Sequence, residues 1–143
     1  MANLLIVIVI SIIVVVLLIV IWHFLHKQRE DWSELDYDRW QQRWRQIEKY
    51  LDSQDPLAWK MAVIEADNFL DNLLKIRGFT GRGLGDRLKF AQVKYKQLKE
   101  VWPAHILRNK LVHESDFTVS QRKAKSAVAS FKKALKSLGY HWF

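Results

Sequence analysis

Hydrophobic and polar residues are grouped along the chain in blocks that predict helices. The first block, residues 4–22, is almost entirely apolar, and Ser11 is its only polar member. Nineteen helical residues rise roughly 28 Å, which is close to the thickness of the hydrocarbon core of a bilayer. Because the block has no polar face, it predicts a transmembrane helix and not a helix that packs in a water-soluble core.

The residues that flank this block predict an uncleaved N-terminal anchor. The sequence after it, WHFLHKQR, contains no small-residue cleavage site. Lys27 and Arg29 follow the block and no basic residue precedes it, so the positive-inside rule places the C-terminal domain in the cytoplasm. We therefore predict a single-pass protein of the cell membrane, with a transmembrane anchor in residues 1–26 that meets the bilayer through residues 4–25, and a juxtamembrane connector in residues 27–36.

Residues 37–143 repeat apolar positions every three or four residues, which is the spacing of one helix face, and show no alternating strand pattern. The spacing predicts four main helices and one short helix. The predicted fold class is therefore all-α: a single N-terminal transmembrane helix, followed by an antiparallel four-helix-type bundle with one short extra helix.

Capping residues predict where these helices begin and end. Asp55 is a suitable N-cap before Pro56, and Gly78 is a suitable stop for the helix that Pro56 begins. A longer helix begins near Gln97, with Pro103 either in its first turn or at a kink. Ser120 or Thr118 caps the last helix.

The segment GFTGRGLGD, residues 78–86, contains closely spaced glycines of the kind that can cradle a phosphate. A phosphate loop needs a preceding strand, and the Walker type also needs Gly-Lys-Ser/Thr; neither is present. The segment therefore predicts a helix stop and a tight connection into the short helix, which starts near Leu84.

Charge and composition limit the classes of ligand and binding partner that the chain can have. The chain has no cysteine, which fits a reducing compartment and excludes disulfides and thiolate metal sites. Its formal net charge is +8, and residues 59–143 hold seventeen Lys and Arg against seven Asp and Glu. Such a basic surface suits RNA or anionic lipid headgroups, and is also compatible with a solvated face alone.

The sequence AHILRNKLVHESD, residues 104–116, gathers the groups that RNA cleavage without a metal requires. A histidine such as His113 can move the proton of the 2′-hydroxyl, and Arg108 can hold the phosphate oxygens beside the polar Asn109. Arg108 and His113 point about 140° apart on a regular helix. They can act together only if the helix loosens near Glu114, or across a two-fold homodimer.

The motif RNKLVH resembles the Arg-(Asn/Asp/His)-x3-His form of the Arg-x4–6-His motif of HEPN domains, and AVIEADNFLDNLL is similar to a pattern of small bacterial proteins. HEPN domains are helical bundles that often dimerise, and many are metal-independent endoribonucleases. The resemblance covers residues 37–138 and implies that His113 is the acid or base, that Arg108 contacts phosphate and that Asn109 orients these groups. It implies no cofactor and no metal.

Two other interpretations of the same residues stand beside this one. In a structural interpretation, Arg108 pairs with an acid such as Glu65 or Asp67, and the domain is a non-catalytic, membrane-tethered dimerisation or adaptor module that binds RNA, anionic lipid or an unidentified protein partner. A metal site of His105 and His113 fails, because two helical turns separate them by about 12 Å.

Overall fold

The computed structural model describes residues 10–22 and 34–141, and all regular secondary structure within these ranges is helical. The chain divides into two compact units between Trp40 and Gln41. The described helical residues 10–22, here called α1, belong to the first unit, and residues from Gln41 onward form the second.

The prediction of an N-terminal transmembrane helix, and with it of a single-pass cell-membrane protein, is wrong on this structure. Within the described residues no helix combines the length and the apolar character that crossing a bilayer requires. Helix α1 rises only about 20 Å, whereas the hydrocarbon core is about 30 Å thick. Residues 1–9 and 23–33, on which the rest of the predicted anchor and most of the connector fall, lie outside the described residues.

The first two helices of the longer described range follow local capping chemistry. Helix α2 is Glu34–Asp52, and it buries Trp44 and Ile47. Helix α3 is Pro56–Ile76, and the side chain of Asp55 accepts a hydrogen bond from the Leu57 N–H at its start. Gly78 ends α3 with a positive φ of 83°, which a residue with a Cβ adopts only at a steric cost. The predicted limits of α3 are confirmed.

Two short helices and a 3₁₀ segment follow. Helix α4 is Leu84–Lys94, a 3₁₀ helix covers Lys96–Val101, and helix α5 is Trp102–His113. The sequence predicted one α-helix from about Gln97, but Pro103 has no N–H to donate to the carbonyl of Lys99 and its ring clashes with that carbonyl. The chain therefore winds as a 3₁₀ helix up to Val101 and restarts as an α-helix with Pro103 in the first turn.

Helix α6, Gln121–Ser137, completes the second unit. Its N-cap is Ser120, whose hydroxyl accepts a hydrogen bond from the Lys123 N–H, so of the two predicted caps Ser120 is the one used. Helix α3 packs against α4, α5 and α6, and it supplies much of the apolar core. The largest fully buried side chains are Trp44, Ile47, Val63, Phe69, Leu70, Leu74, Leu88, Leu98, Val101, Leu111, Phe131 and Leu135.

Within the second unit, polar contacts tie α2 to the helices beside it. Arg43 Nη2 lies 3.1 Å from Oε2 of Glu65 on α3, and Lys132 on α6 lies 2.9 Å from Oε1 of Glu48. The Gln121 amide donates a hydrogen bond to the carbonyl of Leu51. These contacts hold the C-terminal part of α2 against α3 and α6.

Candidate functional site: a polar cleft between α3, α4 and α5

A cleft of about 540 Å³ opens among α3, the start of α4 and α5. Helix α3 contributes acids and an amide, α5 contributes the polar part of the AHILRNKLVHESD sequence, and the glycine-rich connection forms the third wall. The lining residues are Asp67, Asn68, Asp71, Arg82, Gly83, Leu84, Gly85, Asp86, His105, Arg108 and Asn109.

The deepest polar contact in the cleft joins Asp67 and His105. Nδ1 of His105 lies 2.6 Å from Oδ1 of Asp67. Asp67 is 2% exposed and His105 is 9% exposed. A contact this short and this well shielded from water is a strong hydrogen bond between an acidic and a basic group. It connects α3 to α5 and fixes the orientation of the imidazole ring.

Arg108 and Asn109 extend this contact into a network. Nε of Arg108 lies 3.4 Å from Oδ2 of Asp67, within ion-pair distance but without the direction of a hydrogen bond. Nη1 of Arg108 donates to Oδ1 of Asn109 at 3.2 Å, and Nδ2 of Asn109 lies 3.3 Å from Nε2 of His105. The carboxylate of Asp67 therefore contacts both His105 and Arg108 of α5.

The hydrogen-bond donors of this network determine which ring nitrogen of His105 carries the proton. A guanidinium only donates, so the atom of Asn109 that faces Arg108 is its carbonyl oxygen, and its amide nitrogen must face His105. An amide NH₂ also only donates, so Nε2 of His105 accepts and carries a lone pair. The ring proton then lies on Nδ1, where it is donated to Asp67. The cleft thus holds a histidine with an unprotonated Nε2.

Burial raises the pKa of the Asp67 carboxyl above its usual 3.8. The hydrogen bond from His105 and the guanidinium of Arg108 act in the opposite direction and offset the rise only in part, while the charge of Asp71 raises the pKa slightly further. Desolvation is the largest contribution, because Asp67 has almost no contact with water.

His105 packs closely against a glycine of the glycine-rich connection. A Cβ placed on Gly85 would lie 3.2 Å from Nε2 of His105, which is closer than van der Waals contact normally allows. Gly83, two residues earlier, has an extended backbone and nothing within 4 Å of such a Cβ. The glycine-rich segment therefore forms one wall of the cleft, and the absence of a side chain at Gly85 lets the imidazole of His105 approach the backbone of α4.

A second, part-buried ion pair connects this wall to α3. Arg87 on α4 is 8% exposed, and its Nη1 lies 2.7 Å from Oδ1 of Asp71 on α3. Asp71 follows Asp67 by one helical turn, so the two acids stand on the same face of α3. One acid binds α4 and the other binds α5, and together they set the width of the cleft.

The predicted site residues do not all meet here. Arg108 and Asn109 line the cleft, whereas His113 is exposed at the last position of α5 and is not among the lining residues. Helix α5 does not loosen before that point, because the Glu114 N–H still bonds to the Lys110 carbonyl at 2.9 Å. The alternative prediction that Arg108 pairs with Glu65 or Asp67 is confirmed for Asp67, since Glu65 instead binds Arg43.

His105 is the residue that the motif-based prediction missed as an acid or base. Its spacing to Arg108 and Asn109, three and four residues, was a usable signal, since such residues share a helix face. Within the described residues, no group of three or more His, Asp or Glu is placed to hold a metal ion. No protein family, curated protein or solved structure with which the chain was compared matches it significantly.

Proposed function

We propose that the chain is a metal-independent endoribonuclease in which His105 is the proton-transfer residue. One observation carries the proposal: Nε2 of His105 has its lone pair at the cleft, while Nδ1 is held by the buried Asp67. A histidine oriented by a carboxylate on one nitrogen suits general acid–base catalysis, with the substrate hydroxyl taking the place of the Asn109 amide at the other nitrogen. The HEPN resemblance of residues 37–138 accords with this reaction class.

The reaction needs only groups of this cleft and water. Nε2 of His105 takes the proton of a 2′-hydroxyl, whose oxygen forms a bond to the adjacent phosphorus. The bond from phosphorus to the 5′-oxygen breaks, and that oxygen takes a proton from water. The products are a 2′,3′-cyclic phosphate and a 5′-hydroxyl, and the hydroxide that remains recovers the proton from His105. The guanidinium of Arg108, whose side chain is 24% exposed, supplies the charge that stabilises the phosphorane oxygens.

The test is cleavage of single-stranded RNA by the purified full chain in EDTA. We expect His105→Gln to lower the rate at least a hundredfold, the usual effect of losing a general acid or base. His113→Ala is the matched control, because His113 is exposed and outside the cleft. Thermal unfolding of each variant verifies that it is folded. No cleavage by the parent would overturn the proposal, and loss of cleavage in the His113 variant alone would return the role to His113.

A second function rests on a different observation. Asp67 pairs with both Arg108 and His105 inside one chain, so the network satisfies its own charges without a ligand. This arrangement supports a non-catalytic binding module in which the network only joins α3 to α5. An RNA mobility shift by the parent without any cleaved product, unchanged in the His105 variant, is the result that favours it.

A further inference from the structure

The outer face of α4 carries an exposed aromatic ring for which the reaction itself has no use. Phe90 is 59% exposed, and it is the sole phenylalanine, tyrosine or tryptophan of the described residues 41–141 that lies on the surface and not buried or half-buried. Val93, one turn later, is 79% exposed. An exposed aromatic ring among basic residues offers a face on which an unpaired base can stack.

The same face leads away from the cleft. Asp86 lines the cleft, and Phe90 follows it by four residues on α4, so both side chains stand on one side of the helix. The rise between them is about 6 Å. Arg82, also a lining residue, has a side chain that is 99% exposed, and its Nε lies 3.8 Å from Oδ2 of Asp86, at the outer limit of an ion pair. The ring is thus one helical turn from a residue that lines the cleft.

Basic residues flank Phe90 along the chain. The stretch RLKFAQVKYKQLK, residues 87–99, holds five basic residues and no acid. Arg87 is buried against Asp71, and the other four are exposed; these are Lys89, Lys94, Lys96 and Lys99. Lys89 lies 3.8 Å from Asp86, at the outer limit of an ion pair. The next acid along the chain, Glu100, is bound by Lys133. The surface around Phe90 therefore has an excess of positive charge.

We propose that this surface, Arg82 together with residues 89–96, binds the single-stranded part of the RNA substrate, with one base stacked on Phe90 and the phosphates beside Arg82, Lys89 and Lys94. The inference rests on the proposed function for its substrate class. Aromatic rings among basic residues bind single strands because every unpaired base has a face that stacks and every nucleotide has a charge. A duplex keeps its bases stacked within itself and presents none to Phe90.

The experiment measures binding separately from cleavage. A fluorescent single-stranded oligonucleotide with 2′-O-methyl groups at every position cannot undergo attack by a 2′-oxygen, so its anisotropy reports binding to the full chain in EDTA. We expect Phe90→Ala to weaken binding about tenfold, the effect of losing one stacked base. Phe90→Trp keeps a stacking surface and restores binding. Ile76→Ala is the matched control, since Ile76 is also 59% exposed but lies at the end of α3.

Salt dependence tests the charged part of the surface. Lys94→Gln is expected to lower the slope of log affinity against log salt by about 0.7, the value for one phosphate of a single strand. Equal binding by the parent and Phe90→Ala, no binding by the parent, or equally tight binding of a blunt duplex or of anionic vesicles would each overturn the inference. Phe90-dependent binding without cleavage of ordinary RNA would leave it standing while removing the nuclease proposal. Cleavage at an unchanged rate by Phe90→Ala would overturn the inference and leave the nuclease proposal standing.

Discussion

Nδ1 of His105 and Oδ1 of Asp67 lie 2.6 Å apart, although 38 residues separate them in sequence. This contact, with Arg108 beside it, is the polar connection between α3 and α5. Asp67→Ala removes the acceptor and leaves a half-buried guanidinium without its acid. We expect the free energy of unfolding, measured by urea denaturation, to fall by about 2–3 kcal/mol, because unpaired buried groups lose hydration without compensation.

Glu65→Ala is the control for that loss. Glu65 is two residues away on the same helix, and it too binds an arginine, but both partners of that pair are about one-third exposed. Exposed pairs contribute about 0–1 kcal/mol, so this variant is expected to stay within that range. Equal losses from the two variants would contradict a special role for the buried contact.

Asp67 also predicts how stability changes with pH. Its raised pKa means that the folded chain holds the Asp67 proton above pH 3.8, where the unfolded chain has released it. The contribution of Asp67 to the free energy of unfolding therefore falls as pH rises from 3.8 through the higher pKa of the folded state. Asn cannot titrate, so the unfolding free energy of Asp67→Asn minus that of the parent is expected to rise with pH over this window.

Chemical denaturation at a series of pH values measures that difference. The trend is expected to persist in 0.5 M salt, because its main cause is burial and salt screens chiefly exposed charges. A difference that stays flat or falls with pH would show that the contacts of Asp67 with His105 and Arg108 outweigh its desolvation.

The proton position on His105 depends on Asn109. Asn109→Asp replaces the donor that faces Nε2 with an acceptor, so that nitrogen is expected to become protonated. Nitrogen NMR of the imidazole distinguishes the two states, and the parent is expected to show an unprotonated Nε2. Asn68→Asp, which adds the same charge at another lining position, is the control. A parent with Nε2 already protonated at pH 7 would refute the assigned direction of the network.

Gly85→Ala tests the wall of the cleft. The new Cβ, 3.2 Å from Nε2 of His105, forces the ring to shift, so the His105 NMR signals are expected to move and RNA cleavage to fall. Overall stability is expected to change little, because alanine favours the helix by about 1 kcal/mol, which offsets the crowding. Gly83→Ala, with open space around its Cβ, is expected to leave the His105 signals in place; movement in both variants would indicate a general change in the loop.

The parts of this fold that sequence predicts are those decided by neighbouring residues. Asp55 and Pro56 begin α3, and Gly78 ends it, because capping and positive φ depend on chemistry within one turn. The break between Lys96 and Trp102 was visible only as Pro103, since a proline in this position permits both a kink and a restart.

The site was less accessible to prediction, because it depends on where helices cross. The residues Arg108 and Asn109 were identified from their motif, but the partner of that pair is His105 and not His113, and Asp67 comes from another helix. Spacing along α5 shows which side chains share a face and does not show which face meets α3. The length of the apolar run and its lack of a polar face likewise predicted an anchor, whereas none of the described helices has the length and apolar character to span a bilayer.

The 3₁₀ segment Lys96–Val101 controls the rotational phase of α5. A 3₁₀ helix turns 120° per residue and an α-helix 100°, so six residues accumulate a difference of about 120°. Had this segment wound as an α-helix, the face of α5 that bears His105 and Arg108 would be rotated by a third of a turn away from Asp67. The 3₁₀ winding before Pro103 thus turns α5 so that its polar face meets α3. The contacts in the cleft therefore depend on six residues that do not line it.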